Sequence, residues 1–276
     1  MDAGRERPPL KLAVAGLGAI GLAVARRVDA GEVAGIALVA AAARDHDKAT
    51  TATAGFRTPP PLIELGALAD AADVILECLP ARVFAAVAEP AIAKGRIFMP
   101  LSVGALLDIP DLIERARATG ARILVPTGAV LGLDAVRAAA EGTITSVKMV
   151  TRKPPAGLAG APLLVQRNIS LDNLQEPLLV FEGSAREAIA GFPANVNIAV
   201  ALSLAGIGPD RTRVEIWADP SLAHNTHTIL VTSDSSDLAM SIKNTPSLDN
   251  PRTGAITALS AVAALRRLTA PLVVGT

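Results

Sequence analysis

The chain has 276 residues, and its 26 Lys and Arg residues balance its 26 Asp and Glu residues. This length accommodates one large or two ordinary domains, and the 51% hydrophobic and 19% charged residues indicate a folded globular protein. The balanced charge and the lack of a long basic block argue against nucleic-acid binding. The uncharged residues 188–209 are too polar and too broken by glycine to span a bilayer.

The cysteine content and the first residues bear on the compartment. Cys78 is the only cysteine, which excludes an intrachain disulfide and a metal site built from several cysteines. Residues 1–9 are charged and contain prolines, without the continuous apolar core of a signal peptide. We therefore expect a cytoplasmic protein whose partner is a small molecule.

The first part of the chain alternates apolar runs with helical segments. Strands are predicted at residues 10–15, 36–43, 73–79, 96–101 and 122–125. Helical patterns end near residue 30 and cover residues 81–94 and 109–119. Runs this apolar are typical of strands covered on both faces of a parallel sheet. The alternation predicts an α/β domain over residues 1–131, with a Rossmann-type, doubly wound parallel sheet.

A glycine-rich turn joins the first predicted strand to the first helix. Gly16, Gly18 and Gly21 form the pattern G-x-G-x-x-G, with Ala19 and Ile20 between the last two. The first glycine permits a tight turn, the second lets the backbone approach a pyrophosphate, and the third lets helix and strand pack closely. The helix N-terminus presents free N–H groups to phosphate. We therefore predict a dinucleotide-binding site.

The residues after the second predicted strand leave both NAD and NADP open as cofactor. Folds of this kind that bind NAD carry an Asp or Glu there for the ribose. Here the strand is followed by Arg44, which can bind a 2′-phosphate in a bidentate contact, and by Asp45, which can hold a ribose. The alternative is that Arg44 is a solvated loop residue.

From about residue 132 the pattern changes to strands joined by short polar turns. Strands are predicted at residues 144–152, 213–218, 228–233 and 238–243, with one helix at about 194–204. This spacing predicts a second α+β domain over residues 132–251 with a mostly antiparallel sheet. A last helix, within residues 252–276, is expected to complete the first domain.

Two asparagines stand in the first turn of the helix predicted near residue 194. Amide side chains there either cap the helix or meet an anionic or carboxamide group of a ligand. Capping explains one of Asn195 and Asn197, but it does not readily explain both.

Three histidines are candidates for proton transfer. His46 follows the second strand and is expected to be structural, whereas His224 and His227 follow Asp219, which is expected to N-cap a short helix that begins at Pro220. His227 opens a strand, and a rigidly held histidine suits proton transfer near neutral pH. The alternative is a histidine that only satisfies the backbone. The spacing of three also fits a metal, but no third ligand follows and we predict no metal site.

Several segments together resemble the L-aspartate dehydrogenase family. They are the glycine turn at 16–21, LSVGAL at 101–106, PTGAV at 126–130, NVN at 195–197, DPSLAHNTH at 219–227 and PSLDNPRT at 246–253. The similarity extends over nearly the whole chain, and the later segments are more specific than the glycine turn.

The resemblance implies an NAD(P)-dependent enzyme that oxidises L-aspartate to iminoaspartate. The product hydrolyses to oxaloacetate and ammonia or enters NAD biosynthesis. The resemblance also implies that His227 is the catalytic histidine and that Ala129 and Asn197 contact the cofactor. Two positions depart from the family pattern, since Thr127 replaces the usual Ser and Cys78 replaces a small residue near the expected nicotinamide.

The substrate carboxylates require cations or amides, and the sequence offers several. Arg152, Lys153 and Arg252 are candidates, although each is alternatively a solvated charge. An exposed antiparallel sheet makes a homodimer the expected assembly.

Two other functions remain open from the sequence. One is a related NAD(P)-dependent reductase or dehydrogenase of another amino-acid intermediate, such as a relative of homoserine dehydrogenase or dihydrodipicolinate reductase. The other is a dinucleotide-binding sensor without turnover, which would keep the glycine turn and would not need His227.

Overall fold

A computed structural model describes residues 8–193, 196–247 and 254–275 of the chain. The chain forms two compact units. The first consists of Met1–Pro126 with Ala258–Val273, and the second of Thr127–Thr257 with Val274–Thr276. The domain boundaries placed after residues 131 and 251 from the sequence stay predictions.

The first unit is built on a five-stranded parallel sheet in the order β2-β1-β3-β4-β5. Its strands are β1 (Leu10–Ala15), β2 (Ile36–Ala42), β3 (Val74–Glu77), β4 (Ile97–Pro100) and β5 (Arg122–Ile123). The chain runs from β1 outward to β2 and then crosses back to β3, so the order reverses between β1 and β3. In open parallel sheets, ligands bind at the carboxyl ends of the strands at such a point.

Five helices of the first unit connect these strands. They are α1 (Ala19–Asp29), α2 (His46–Thr53), α3 (Leu68–Ala71), α4 (Ala85–Ala93) and α5 (Leu112–Thr119), with short 3-10 turns at Leu65–Ala67, Ala81–Val83 and Val103–Asp108. Helix α2 was not predicted, because its sequence HDKATTAT has no apolar stripe. Asp45 starts this helix by capping it.

The second unit is built on a mixed five-stranded sheet in the order β10-β9-β6-β8-β7. Its strands are β6 (Ile144–Lys153), β7 (Leu178–Ser184), β8 (Arg213–Ala218), β9 (Thr226–Ser233) and β10 (Asp237–Lys243). Three of the four strand pairs are antiparallel, and only β6 and β8 run parallel. The predicted fold class, a Rossmann-type parallel sheet plus a mostly antiparallel second sheet, is confirmed.

The described part of the second unit contains four helices, and one more helix follows it in the chain. The four are α6 (Leu133–Ala139), α7 (Pro162–Gln166), α8 (Ala185–Gly191) and α9 (Asn197–Ala205), with a 3-10 turn at Pro155–Gly157. The last helix, α10 (Ile256–Thr269), buries Ala261, Val262 and Leu265 in the apolar core around β1 and α1. In the part of the chain that the structure describes, no helix has both the length and the apolar character required to cross a membrane.

The prediction of a short helix after Asp219 is wrong. The chain makes a tight turn there, in which Asp219 Oδ1 accepts hydrogen bonds from Ser221 N at 3.0 Å and from Ser221 Oγ at 2.6 Å. The Asp219 carboxylate therefore closes a turn with Ser221, two residues later, and does not cap a helix as the sequence suggested.

Candidate active site

The glycine turn lies at the carboxyl end of β1, where the strand order reverses. Gly16 has φ +100°, and a Cβ added there would lie 2.8 Å from the carbonyl oxygen of Cys78 at the end of β3. A Cβ added at Gly21 would collide with the carbonyl oxygen of Gly16. Gly16 therefore excludes a side chain because of its backbone conformation and the close approach of Cys78. Gly21 excludes one because α1 packs directly on the turn.

Gly18 differs from the other two glycines, because no protein atom lies within 4 Å of a Cβ built on it. It lines a cavity of about 640 Å³ at the carboxyl ends of β1, β2 and β3, which we call the nucleotide cavity. Gly18 is also the N-cap of α1 and offers no side-chain cap, while Ala19 and Ile20 form the first turn of that helix, which contains no acidic residue. The free N–H groups and the open space fit the diphosphate of a dinucleotide.

Arg44 and Asp45 line the same cavity but do different things. Asp45 Oδ1 accepts a hydrogen bond from Lys48 N at 3.0 Å and so caps α2. Arg44 is exposed, and no described residue forms an ion pair with its guanidinium. One carboxylate oxygen of Asp45 is thus engaged in the fold, whereas Arg44 and Lys48 bring positive charge to the cavity.

A buried carboxylate that was not predicted from the sequence joins the ends of β3 and β4. Glu77 is 0% exposed and accepts hydrogen bonds from Leu79 N at 2.6 Å and from Ser102 N and Oγ, both at 3.1 Å. Burial raises the pKa of Glu77, and these hydrogen bonds oppose that rise. The sequence did carry a signal, since Glu77 is the one charged residue within the apolar run 74–79.

The neighbouring residue, Cys78, lines the nucleotide cavity, and its predicted place near the nicotinamide stays a prediction. Burial, with a smaller contribution from the Glu77 charge, raises the pKa of Cys78 well above its ordinary value. The thiol is therefore protonated at neutral pH and acts as a packing group rather than a nucleophile.

The second sheet has a buried face that turns from apolar to polar at one end. Side chains alternate along a strand, so Val147 and Met149 of β6 point to the same face as Thr151 and Lys153. In the neighbouring β9, His227 pairs with Thr151 across the ladder. Thr151, Lys153 and His227 are 1%, 5% and 2% exposed, so they form a buried polar cluster.

His227 is held in this cluster as a neutral imidazole. Its Nδ1 lies 3.1 Å from Thr151 Oγ1, which fixes the ring on β9. Burial, aided by the positive charge of Lys153, lowers the pKa of His227 to about 3. At neutral pH the ring carries no charge and keeps one nitrogen able to accept a proton. The catalytic role of His227 stays a prediction.

Lys153 lines a cavity of about 420 Å³ in the second unit, which we call the Lys153 cavity. His224, Asn225 and Asn244 line it as well. Burial lowers the pKa of Lys153 to about 8. The alternative that Lys153 is a solvated charge is wrong, because only 5% of the residue is exposed.

The other two cation candidates differ from Lys153. The Arg152 side chain lies 3.4 Å from Asp219 Oδ2 and stacks over Trp217, with its Cζ 4.7 Å from the ring centroid. This ion pair and cation–π contact occupy the guanidinium at the surface. Arg252 lies outside the described residues.

The two family-implied cofactor contacts of the second unit lie close to each other. The carbonyl oxygen of Ala129 accepts a hydrogen bond from Asn244 Nδ2 at 2.9 Å. In the same turn, a Cβ added at Gly128 would come within 4.0 Å of Ile198, the residue after Asn197. Asn197 is the first residue of α9, and the N-cap position belongs to Val196. Asn195 lies outside the described residues.

The predicted site residues thus fall into two groups, one in each unit. The glycine turn and Arg44 share the nucleotide cavity in the first unit. His227 and Lys153 share the buried face of the second sheet, to whose unit Ala129 and Asn197 also belong. The described residues contain no group of three or more His, Cys, Asp or Glu side chains that could hold a metal.

Comparison with known proteins gives matches along most of the chain. Residues 134–268 match the family described as "Aspartate dehydrogenase, C-terminal", and residues 16–126 match "Homoserine dehydrogenase, NAD binding domain". The chain is 55% identical over 267 residues to L-aspartate dehydrogenase of Bradyrhizobium diazoefficiens, covering 97% of this chain and 94% of that protein. It is 54% identical over 271 residues to L-aspartate dehydrogenase 3 of Bordetella bronchiseptica, covering 98% and 99%.

The fold is also similar to that of a solved structure. The crystal structure of aspartate dehydrogenase from Thermotoga maritima superposes with a TM-score of 0.72, covering 96% of this chain and 99% of that one, at 21% identity. At this identity the likeness shows a shared fold.

Proposed function

Because this chain belongs to the L-aspartate dehydrogenase family, we infer that it oxidises L-aspartate to iminoaspartate with NAD or NADP, and that water then converts the product to oxaloacetate and ammonia. The observation that carries this proposal is the 55% identity, over 97% of the chain, to a protein named L-aspartate dehydrogenase. The match of residues 134–268 to the aspartate dehydrogenase family favours this function over that of homoserine dehydrogenase, which the match of residues 16–126 alone would also allow.

The cavity geometry supports a dinucleotide as the cofactor. The glycine turn and the N-terminus of α1 would hold the diphosphate, and Arg44 would face a 2′-phosphate or the ribose edge. Ala129 and Asn197, in the second unit, are the other cofactor contacts that the family resemblance implies. When bound, the dinucleotide supplies the hydride acceptor.

The oxidation removes a hydride from the substrate Cα and a proton from its nitrogen, leaving a C=N bond. The α-ammonium group must lose a proton before the Cα hydride can leave, so the site needs a base. A neutral His227 can accept this proton. The net negative charge of bound aspartate would raise the pKa of His227 from about 3, because an opposite charge favours the imidazolium.

The same histidine can serve the hydrolysis that follows. Water must lose a proton as it adds to the imine carbon, and the leaving nitrogen must gain one. His227 can pass a proton between these two groups, because they are bonded to the same carbon of the intermediate.

We also propose that the protein is a cytoplasmic homodimer. The outer face of the second sheet supports a dimer, since Leu230 of β9 is 41% exposed and β10 is an edge strand. A single cysteine, Cys78, fits a reducing compartment.

The proposed function is tested by the near-ultraviolet absorbance of reduced nicotinamide. We expect absorbance to rise when L-aspartate is added to the protein with NAD or NADP, and to fall when oxaloacetate and ammonium are added with the reduced cofactor. Turnover of L-homoserine in place of L-aspartate would favour the homoserine dehydrogenase alternative. Cofactor binding without turnover of any amino acid would favour the sensor.

A further inference from the structure

One residue that lines the Lys153 cavity, Asn244, carries a buried oxygen without a partner. Asn244 is 4% exposed, and its Nδ2 donates to the carbonyl oxygen of Ala129 at 2.9 Å. A carbonyl oxygen only accepts, so this bond fixes which end of the amide faces Ala129. The other end, Oδ1, is buried without a hydrogen-bond partner among the described residues. An unsatisfied buried acceptor is costly, and it calls for a donor from a ligand.

A second residue that lines the same cavity also carries an unpartnered atom. His224 Nδ1 is buried and has no hydrogen-bond partner in the described part of the chain. His224 lies next to Asn225, whose carbonyl oxygen accepts a hydrogen bond from Asn244 N at 2.9 Å. This hydrogen bond joins the segment before β9 to the residue after β10. His224 and Asn244 therefore lie on neighbouring segments.

The third group of the cavity is the buried ammonium of Lys153. Lys153 is the last residue of β6. Its carbonyl oxygen accepts a hydrogen bond from Asp219 N at 2.8 Å, which fixes the end of the strand. An anion brought into the cavity would interact with this ammonium in a largely water-free setting, where charge pairs are strong.

Resting on the proposed function, we propose that the Lys153 cavity is the substrate site, which binds the amino dicarboxylate through three groups. Lys153 Nζ pairs with a carboxylate, His224 donates through Nδ1 to a carboxylate oxygen, and Asn244 Oδ1 accepts from the α-ammonium group. One cation, one donor and one acceptor match the two anionic groups and the one cationic group of L-aspartate. Asn244 also couples this site to the Ala129 turn through its amide nitrogen.

The experiment compares L-aspartate with succinate, a dicarboxylate of the same length that lacks the amino group. Calorimetric titration is carried out on the protein with saturating reduced cofactor, which cannot accept a hydride, and the KM for L-aspartate is measured separately with NAD or NADP. Lys153→Met is expected to weaken both ligands by about 10- to 100-fold, which is the range for a lost charge-assisted hydrogen bond. His224→Ala is expected to weaken both to a smaller degree. Asn244→Ala should weaken L-aspartate about tenfold and leave succinate within twofold.

A matched control lies on the same strand. Lys148 of β6 points to the opposite face, pairs with Glu215 and has a side chain that is 44% exposed. Lys148→Met should leave the KM for L-aspartate unchanged. Lys153→Met should also keep its melting temperature, because it removes a charge from the interior and fills a similar volume, so weak binding is separable from misfolding.

The outcomes separate the two proposals. If the unmodified protein turns over L-aspartate while Lys153→Met and Asn244→Ala keep its KM, the cavity is not the substrate site and the proposed function stands. Equal weakening of succinate and L-aspartate by Asn244→Ala would overturn the ammonium contact. If the unmodified protein turns over no L-aspartate, both the proposed function and this inference are overturned.

Discussion

At the scale of single residues, the second unit keeps an imidazole uncharged beside a buried ammonium. His227 would ordinarily be partly protonated near neutral pH. Burial and the charge of Lys153 both act against the imidazolium, and Thr151 holds the ring through Nδ1. The imidazole of His227 is therefore a neutral proton acceptor, and its pKa would rise when an anion binds beside it.

Replacement of His227 tests its role most directly. His227→Ala should lower kcat for aspartate oxidation by about 10²- to 10⁴-fold, the range for a lost general acid–base group, with cofactor affinity near normal. His224→Ala should change kcat far less and act through KM. Chelators should leave activity unchanged, because we predict no metal site. The role is lost if the His227 variant keeps near-normal kcat, or if His224→Ala abolishes turnover.

The same burial makes stability depend on pH. His227 has a pKa of about 3 in the folded protein and an ordinary value of 6.5. Between these two pKa values, His227 is protonated in the unfolded chain and neutral in the folded chain. Its contribution to the free energy of unfolding is therefore complete above pH 6.5 and is lost as the pH falls toward 3. Between pH 7 and pH 5 the free energy of unfolding should drop by about 2 kcal/mol from this residue.

Urea unfolding at these two pH values, for the unmodified protein and for His227→Gln, measures this contribution. The variant should show a smaller drop, since Gln does not titrate. An equal drop in both proteins would assign the pH dependence to other groups.

Arg44 is expected to set the preference between the two cofactors. It lines the nucleotide cavity without an ion-pair partner among the described residues, whereas one oxygen of Asp45 caps α2. Arg44→Ala should weaken NADP about tenfold, as for a lost charge-assisted contact, and NAD by less. Calorimetric titration with each cofactor checks this. Equal effects would make Arg44 a solvated loop residue.

At the scale of secondary structure elements, the glycine turn separates binding from folding. A Cβ at Gly18 meets no atom of the protein, while a Cβ at Gly21 collides with Gly16. Gly18→Val should therefore keep its melting temperature and lose most dinucleotide affinity, because the side chain occupies phosphate space. Gly21→Val should lower the melting temperature by several degrees. A normal affinity in folded Gly18→Val would exclude the turn from the site.

The sequence predicted those elements whose pattern is local. Strands β1 and β8 follow from apolar or alternating runs, and both their predicted ends match the structure. Helix α2 was missed because an N-cap rather than an apolar stripe starts it. The helix after Asp219 was wrongly predicted, since a side-chain contact with Ser221 decided the turn.

The composition of the polar cluster could not be predicted for a different reason. Thr151 and His227 are 76 residues apart, and they meet only because β9 pairs with β6 in one particular register. Lys153 joins them because it lies two residues after Thr151 on the buried face. Periodicity identifies strands but does not give their neighbours, so a buried lysine looked the same as a solvated one.

At the scale of the whole molecule, each unit carries one part of the proposed site. The first presents a cavity of about 640 Å³ at the switch point of a parallel sheet. The second presents a proton acceptor and a substrate-sized cavity on a mixed sheet, where β6 and β8 end together. We thus propose that the first unit binds the diphosphate of the dinucleotide and that His227 of the second unit accepts the proton.

The central claim is that the protein removes the Cα hydrogen of L-aspartate as a hydride. L-aspartate that carries deuterium at Cα is supplied with NAD or NADP, and the reduced cofactor is analysed by mass spectrometry. We predict that the deuterium is found in the reduced cofactor and that oxaloacetate and ammonia form in equal amounts. Deuterium released to water, or no reduced cofactor at all, would contradict the claim.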